Sequence, residues 1–358
     1  MYSPKTLLVF LTIALGSTSY GQVARKYSNA FLAIGVDARA MGLSNSVVAS
    51  VQDASSGYWN PAGLANMGHA YDFGLMHAEY FASIAQYDYL GAAMDIDAEQ
   101  SVGFTVIRFG VDNILNTTQL IDQNGNVDYN RITKFSAADY AFMGSYARVI
   151  SSVPGLSVGA NAKVVYRQIG DFADAYGFGL DVGVQYRPGD WRFGLTLRDA
   201  TTTVNSWVFS TEDFEQVFED TGNELPTNGI ELTIPRALLG AGRTWELSDK
   251  FSLLSEVNLE MTFDGQRNTL VSSSVLNINP MAGVELGYAD FVFFRLGGGQ
   301  FQRTTSILGE QEIGWQPTLG VGFKYLGISV DYALTDVGNQ STALYSNIFS
   351  LKYRFNRR

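Results

Sequence analysis

Along most of this chain apolar and polar residues alternate one by one. From Tyr176 to Tyr186 one set is Tyr176, Phe178, Leu180, Val182, Val184 and Tyr186; the other is Gly177, Gly179, Asp181, Gly183 and Gln185. A period of two puts the sets on opposite faces of a sheet. The runs 156–166 and 315–325 repeat the pattern, with aromatic residues at their ends. Such a run is about eleven residues, at about 3.3 Å each, and tilted by about 40° it spans the roughly 25 Å apolar band of an outer membrane. A soluble strand averages about five or six residues. The pattern predicts an all-β transmembrane antiparallel barrel of about fourteen strands. They are expected at 71–79, 83–96, 100–109, 136–150, 156–168, 175–187, 191–198, 231–246, 251–263, 281–288, 291–300, 314–325, 327–335 and 344–355.

The connections test this independently. Tight turns at 151–155, 188–190, 248–250, 289–290 and 326–327 alternate with longer connections at 110–135, 169–174, 199–230, 264–280, 301–313 and 336–343. Bacterial barrels have short periplasmic turns and long external loops. Both termini are therefore expected in the periplasm.

Ahead of the strands, Lys5 precedes the apolar run Leu7–Leu15, and small residues follow to Gly21. That order predicts a secretory signal peptide over 1–21, too short to span a membrane as a helix. Residues 22–70 then carry small, apolar, patchy stretches at 29–36 and 38–51, readable as short helices. A barrel of this circumference leaves a lumen to fill. The expectation is a plug at 22–70 inside a barrel at 71–358.

Composition narrows the chemistry. The chain has no Cys, so disulfides and thiol chemistry are excluded, and His69 and His77 are its only histidines. A formal net charge of −11 lacks the basic footprint that nucleic acid requires. Mean hydropathy is +0.02, too low for a bundle of membrane helices. Thirty-seven Gly, nineteen Tyr and twenty-three Phe suit short strands with aromatic girdles. No cofactor or metal site is expected.

Among the motifs, Asn60-Pro61-Ala62-Gly63-Leu64 is the sharpest. It is also an ordinary helix start, Asn capping and Pro in the first turn. The run Gly155-Leu156-Ser157-Val158-Gly159 has nucleophile-elbow spacing but enters a strand, and both His lie upstream. The run 122–128 has its glycine two positions early for a calcium loop, and an Asn-Gly hairpin tip explains it better. Gly297-Gly298-Gly299 lacks phosphate-cradle spacing and suits a wall that leaves room inside or bends. Lys163, Asp181, Lys324 and Asp331 fall on the polar face, where they either line a pathway or solvate the plug. The connection 199–230 holds Trp207, Phe209, Phe214 and Phe218, an apolar cluster readable as a partner-binding loop.

Two stretches carry a family resemblance. Residues 26–42, Lys26-Tyr27-Ser28-Asn29-Ala30-Phe31-Leu32-Ala33-Ile34-Gly35-Val36-Asp37-Ala38-Arg39-Ala40-Met41-Gly42, resemble the start of PorV/PorQ-family proteins; so does 54–64, Ala54-Ser55-Ser56-Gly57-Tyr58-Trp59-Asn60-Pro61-Ala62-Gly63-Leu64. These are outer-membrane proteins of the type IX secretion system in Bacteroidota, with barrels similar to the FadL fatty-acid channel. The resemblance implies a non-enzymatic protein set in outer-membrane lipid. It implies association with the very large translocon barrel called SprA or Sov and with the C-terminal signal domains of secreted cargo. It also implies that Asn60–Gly63 anchors the plug and that the loops 110–135 and 199–230 bind partner or cargo. A FadL-like channel for hydrophobic small molecules is the alternative. An apolar compound would then bind above the plug and leave through an opening in the wall.

Overall fold

A computed structural model describes residues 28–121, 125–210, 229–305, 311–335 and 346–356. The expected signal peptide lies outside them. The alternating runs form antiparallel strands that close into a ring. In chain order they are β1 Tyr71–Tyr80, β2 Ala85–Asp95, β3 Gln100–Asn116, β4 Thr133–Val149, β5 Leu156–Ile169, β6 Ala173–Tyr186 and β7 Trp191–Arg198, which resumes as Thr203–Phe209. Then come β8 Gly229–Thr233, resuming as Arg236–Glu246, β9 Phe251–Thr262, β10 Asn277–Tyr288, β11 Val292–Thr305, β12 Gln311–Tyr325, β13 Ile328–Thr335 and β14 Ser346–Phe355. Because β1 pairs with both β2 and β14, fourteen strands close without an edge.

Every expected strand is present, and the differences are local. Strands β3 and β4 run several residues beyond their neighbours, so the expected connection 110–135 is partly a projecting hairpin, twisted by a bulge between Val111 and Ile114. The expected loop 199–230 begins as strand: Thr203–Phe209 continues β7, pairing with β6 and with the first piece of β8. Trp207 and Phe209 are therefore wall residues, and Phe214 and Phe218 lie outside the described residues. The alternation Thr203, Asn205, Trp207 already has a strand's period, masked in the sequence by the turn before it.

That turn interrupts the wall. Pairing between β6 and β7 jumps from Val182↔Leu197 to Phe178↔Val204, so three residues of one strand face six of the other. On the other side it jumps from Arg198↔Arg236 to Thr203↔Thr233. Asp199 and Thr202 have positive φ of 53° and 60°, and Pro235 opposite them offers no N–H to the ladder.

The outer face of the ring is an apolar band. Phe73, Leu75, Phe104, Phe178, Val182, Leu296, Val330 and Leu351 are all exposed. Aromatic rings collect at the rim of tight turns, where Tyr71 stacks on Phe355 at 4.8 Å and Phe251 meets Tyr288 at 5.0 Å. Towards the rim of long connections, Tyr166 meets Tyr176 at 5.0 Å and Tyr332 meets Phe349 at 4.8 Å. There too the outward His77 takes Asp88 at 2.7 Å.

The inward face meets residues 28–67, whose regular pieces are a 3₁₀ turn Ala30–Ala33, α1 Ala38–Gly42, α2 Ser56–Trp59 and a 3₁₀ turn Pro61–Asn66. This segment touches strands all round the ring, so it lies within it. Phe31, Leu32, Val36, Met41, Tyr58 and Trp59 pack with Met76, Tyr87 and Ile107 of the wall. Each such buried side chain contributes about 1.5–3 kcal/mol.

Candidate functional site

The inner segment is mostly irregular, so many of its peptide groups have no helix or ladder partner, and burial makes each of them costly to leave unpaired. The polar face of the wall satisfies them. Gln185 Nε2 donates to the carbonyls of Val48 and Val51 at 3.2 and 2.9 Å, Asn161 Nδ2 to Gly57 at 2.6 Å, and Thr196 Oγ1 to Trp59 at 3.0 Å. Ser350 Oγ accepts from the Ala38 amide at 2.7 Å, and Glu256 Oε1 accepts from the Ala49 amide at 2.8 Å. Ser157, at the centre of the elbow-like spacing, faces inward and accepts from Asn66 Nδ2 at 2.9 Å.

Asn60 unites both readings of its motif. Its Oδ1 accepts from the Ala62 amide at 3.2 Å, capping the 3₁₀ turn with Pro61 in the first position. Its Nδ2 donates at 3.0 Å to Val48 within the segment and at 3.0 Å to Val184 of the wall. Pro61 and Ala62 lie so close to Gly159 that a Cβ there would stand 2.5 Å from the Pro61 carbonyl carbon. Gly63 is packed as tightly, since its Cβ would fall against the Val51 carbonyl and Ser56. Gly297 likewise makes room for Leu43 and Ser44, as an interior-facing glycine should.

Two different environments flank α1. Towards the rim of long connections lies a cavity of about 320 Å³. Ile34, Met41, Tyr80 and Phe81 give its apolar lining; Ser44, Asn45, Gln300, Gln316, Thr318, Thr335 and Ser346 give its polar lining. None of these is charged. Phe81 sits in the β1–β2 turn with φ of 55°, followed by Ala82 and Ser83 at 57° and 67°. Three successive left-handed non-glycine residues store strain beside the cavity mouth.

Towards the rim of tight turns the lining is ionic. A cavity of about 180 Å³ there is bordered by Arg39, Asp53, Glu285, Arg295, Asp331, Lys352 and Arg354. Lys352 Nζ bridges Asp37 at 2.5 Å and Asp53 at 2.7 Å. Arg354 reaches Asp53 at 3.2 Å and Asp72 at 2.9 Å. Arg39 grips Glu285 with two nitrogens at 2.9 and 3.0 Å, and Arg295 joins Glu285 to Asp331 at 2.5 and 2.7 Å. Burial works to push the Asp53 carboxyl up, but Lys352 and then Arg354 override it and hold it well below the usual carboxylate range. Burial, with the neighbouring Asp53 charge, raises Asp37 despite Lys352. Asp37 also caps α1 with a positive φ of 76°, a backbone state its ion pair helps hold.

A second buried cluster sits at the wall interruption. Lys163 Nζ binds Asp181 at 2.9 Å and Asp199 at 2.6 Å, and Thr203 Oγ1 donates to Asp199 at 2.6 Å. Arg198 next to the turn lies 4.2 Å above the Tyr58 ring and donates to the Tyr58 carbonyl at 3.0 Å. The interruption is thus tied to the inner segment. Trp207 points inward beneath the Arg167 guanidinium, 4.9 Å from its ring centre.

Of the residues singled out in the sequence, Lys163, Asp181 and Asp331 are buried inward as expected, while Lys324 pairs with Asp290 at the rim. Asn60–Gly63 and Trp207 lie on the interior, in separate places. Sequence reasoning missed Asp37, Arg39, Asp53, Glu285, Arg295 and Lys352. The signal was available for three of them, because Glu285, Arg295 and Lys352 occupy polar positions of alternating strands.

These features define a closed fourteen-stranded antiparallel barrel, and that barrel fold is similar to the fold of FadL-like hydrocarbon channels. The Pseudomonas putida toluene transporter TodX superimposes with a TM-score of 0.55 at 11% identity, over 90% of this chain and 99% of that one. The Ralstonia pickettii toluene transporter TbuX gives 0.53 at 14% identity, over 90% and 99%. A Pseudomonas aeruginosa FadL homologue gives 0.50 at 12% identity, over 90% and 98%. No protein-family model matches the chain, and no curated protein matches it.

Proposed function

We propose that this chain is an outer-membrane channel for hydrophobic small molecules, with residues 28–67 as its plug. The observation that carries this is the uncharged cavity of about 320 Å³ between the Tyr80–Phe81 corner and α1, a size within the usual range for small-ligand pockets. The shared fold with proteins described as toluene transporters supports it. The long connections then face the exterior, the tight turns and both termini face the periplasm, and Asn60–Gly63 anchors the plug. The interruption at Asp199–Thr202 supports a lateral route, since regular strand pairing lapses there on both sides of β7 and towards β6 the Ala200 amide still donates to the Leu180 carbonyl at 2.8 Å. The test is uptake of a labelled alkylbenzene by cells carrying the chain in their outer membrane. Faster uptake than in cells lacking it is expected; equal rates would overturn the reading.

The type IX secretion reading rests on the resemblance of residues 26–64 to PorV/PorQ proteins. That stretch is almost wholly buried against the wall from Ser28 onward, as a sealed secretion component would need. In this reading the connections around 110–135 and 199–230, including Phe214 and Phe218, meet the translocon barrel or cargo C-terminal domains. A pull-down of the tagged barrel from its native membrane discriminates. Co-purified translocon and cargo would favour secretion, and a barrel emerging with bound hydrocarbon alone would remove it.

A further inference from the structure

The cavity beside α1 differs from a plain greasy pocket in one respect: a β-bulge has been used to turn an amide into it. Along β11 the inward residues are Arg295, Gly297 and Gly299, while Phe294 and Leu296 face out. Strict alternation would send Gln300 outward with the latter pair. Between Gly299 and Gln302 the register against β12 slips, so Gln300 and Phe301 together face Trp315. Gln300 takes a φ of 51° and, though exposed, lines the cavity. Re-aiming a side chain is what such bulges do. Directly across from Gly299, Gln316 on β12 enters the same space.

Neither glutamine amide is used by the fold, for neither has a side-chain hydrogen bond among the described residues. Together they offer donors and acceptors next to Ile34, Met41 and Phe81. Among the described residues the lining has no arginine, lysine or histidine. A carboxylate entering it would lose water and find no counter-charge, which strongly disfavours the ionised form. A pure hydrocarbon would leave the two amides without a ligand partner.

We propose that this cavity selects an uncharged, oxygen-bearing hydrophobic compound (a phenol, alcohol or ketone) held by the side-chain amides of Gln300 and Gln316. The proposal rests on the channel reading and specifies its substrate class.

The test is calorimetric titration of the full chain in detergent micelles with 4-ethylphenol, ethylbenzene and 4-ethylbenzoate at neutral pH, with empty micelles as blank. Expected is 4-ethylphenol binding about tenfold more tightly than ethylbenzene, the effect of one or two well-made neutral hydrogen bonds. No measurable binding of 4-ethylbenzoate is expected. Gln316→Leu should abolish the preference for the phenol while leaving ethylbenzene unchanged. Gln300→Leu should do the same; Gln316→Leu lies off the bulge and keeps the test valid if the Gln300 variant misfolds. Ethylbenzene binding as tightly as the phenol, or the benzoate binding best, overturns the substrate class and leaves the channel reading standing. Absence of binding by all three overturns both.

Discussion

The two sides of α1 are built from the same strands and opposite chemistry. On β12, Gln316 and Thr318 line the uncharged cavity, while Phe323 and Lys324 a few residues on border the ionic one. Within α1 itself, Met41 faces the first and Arg39 the second. The ionic side fixes position, because each buried charge there must keep its partner. The uncharged side has little to hold it beyond contact and single hydrogen bonds, such as Thr318 Oγ1 to the Gly42 carbonyl at 3.1 Å. A segment fastened at one face and loosely covered at the other can present a binding surface without detaching.

The sharpest way to break this contrast is Lys352→Met. It would leave Asp37 and Asp53 buried without their ammonium, and removing one partner of such a network costs about 3–5 kcal/mol. A spin label on Ala65→Cys, clean in a chain with no other Cys, should report a mobile segment. Adding Asp37→Asn and Asp53→Asn should restore most of the order. If Lys352→Met alone leaves the label immobile, the ionic side is not the fastening.

Acid should reach the same network reversibly. Asp53 is depressed when folded, so its contribution is complete above the ordinary carboxylate value of about 3.9 and is lost as pH falls from there through its folded value. Asp37 is raised and takes its proton earlier, which relieves its repulsion with Asp53 rather than undoing the network. The label should therefore loosen only below about pH 4. Loosening that begins well above the ordinary carboxylate range would show that Asp53 is not the critical carboxylate.

On the side of the segment away from that network, Gly159→Leu should push Pro61 and Ala62 off the wall at about 1–3 kcal/mol, the usual cost of overpacking. Spectra of the strands should not change, which separates seating of the segment from closure of the ring. The smallest effect belongs to Phe81→Ala. It removes part of the cavity's apolar lining and should weaken ligand binding about fivefold, from roughly 1 kcal/mol of lost apolar contact. Heat resistance of the barrel should stay as it was, and a large loss of it would show that the β1–β2 turn supports the fold.

Much of the architecture was readable in advance. All fourteen strands were, because an outward residue must suit an apolar surround and an inward one must not, and this imprints a period of two. The Asn60-Pro61 turn was readable because capping is local. The break in β7 was not, since Asp199–Thr202 looks like the start of a loop until β6 and β8 are seen pairing beyond it. Trp207 illustrates the consequence: assigned to a loop by its neighbours in sequence, it is an inward wall residue. The bulge at Gln300 was not readable either, as it depends on the register of β12.

By itself, then, the sequence determined what each position could face, because alternation and capping act over a few residues. It did not determine which inward group would meet which. Arg39 and Glu285 are 246 positions apart and Lys352 and Asp37 are 315 apart, and no local pattern joins them. Only closing the ring brings β10 through β14 round to α1, and only then do scattered polar positions sort into a fastened side and an open one.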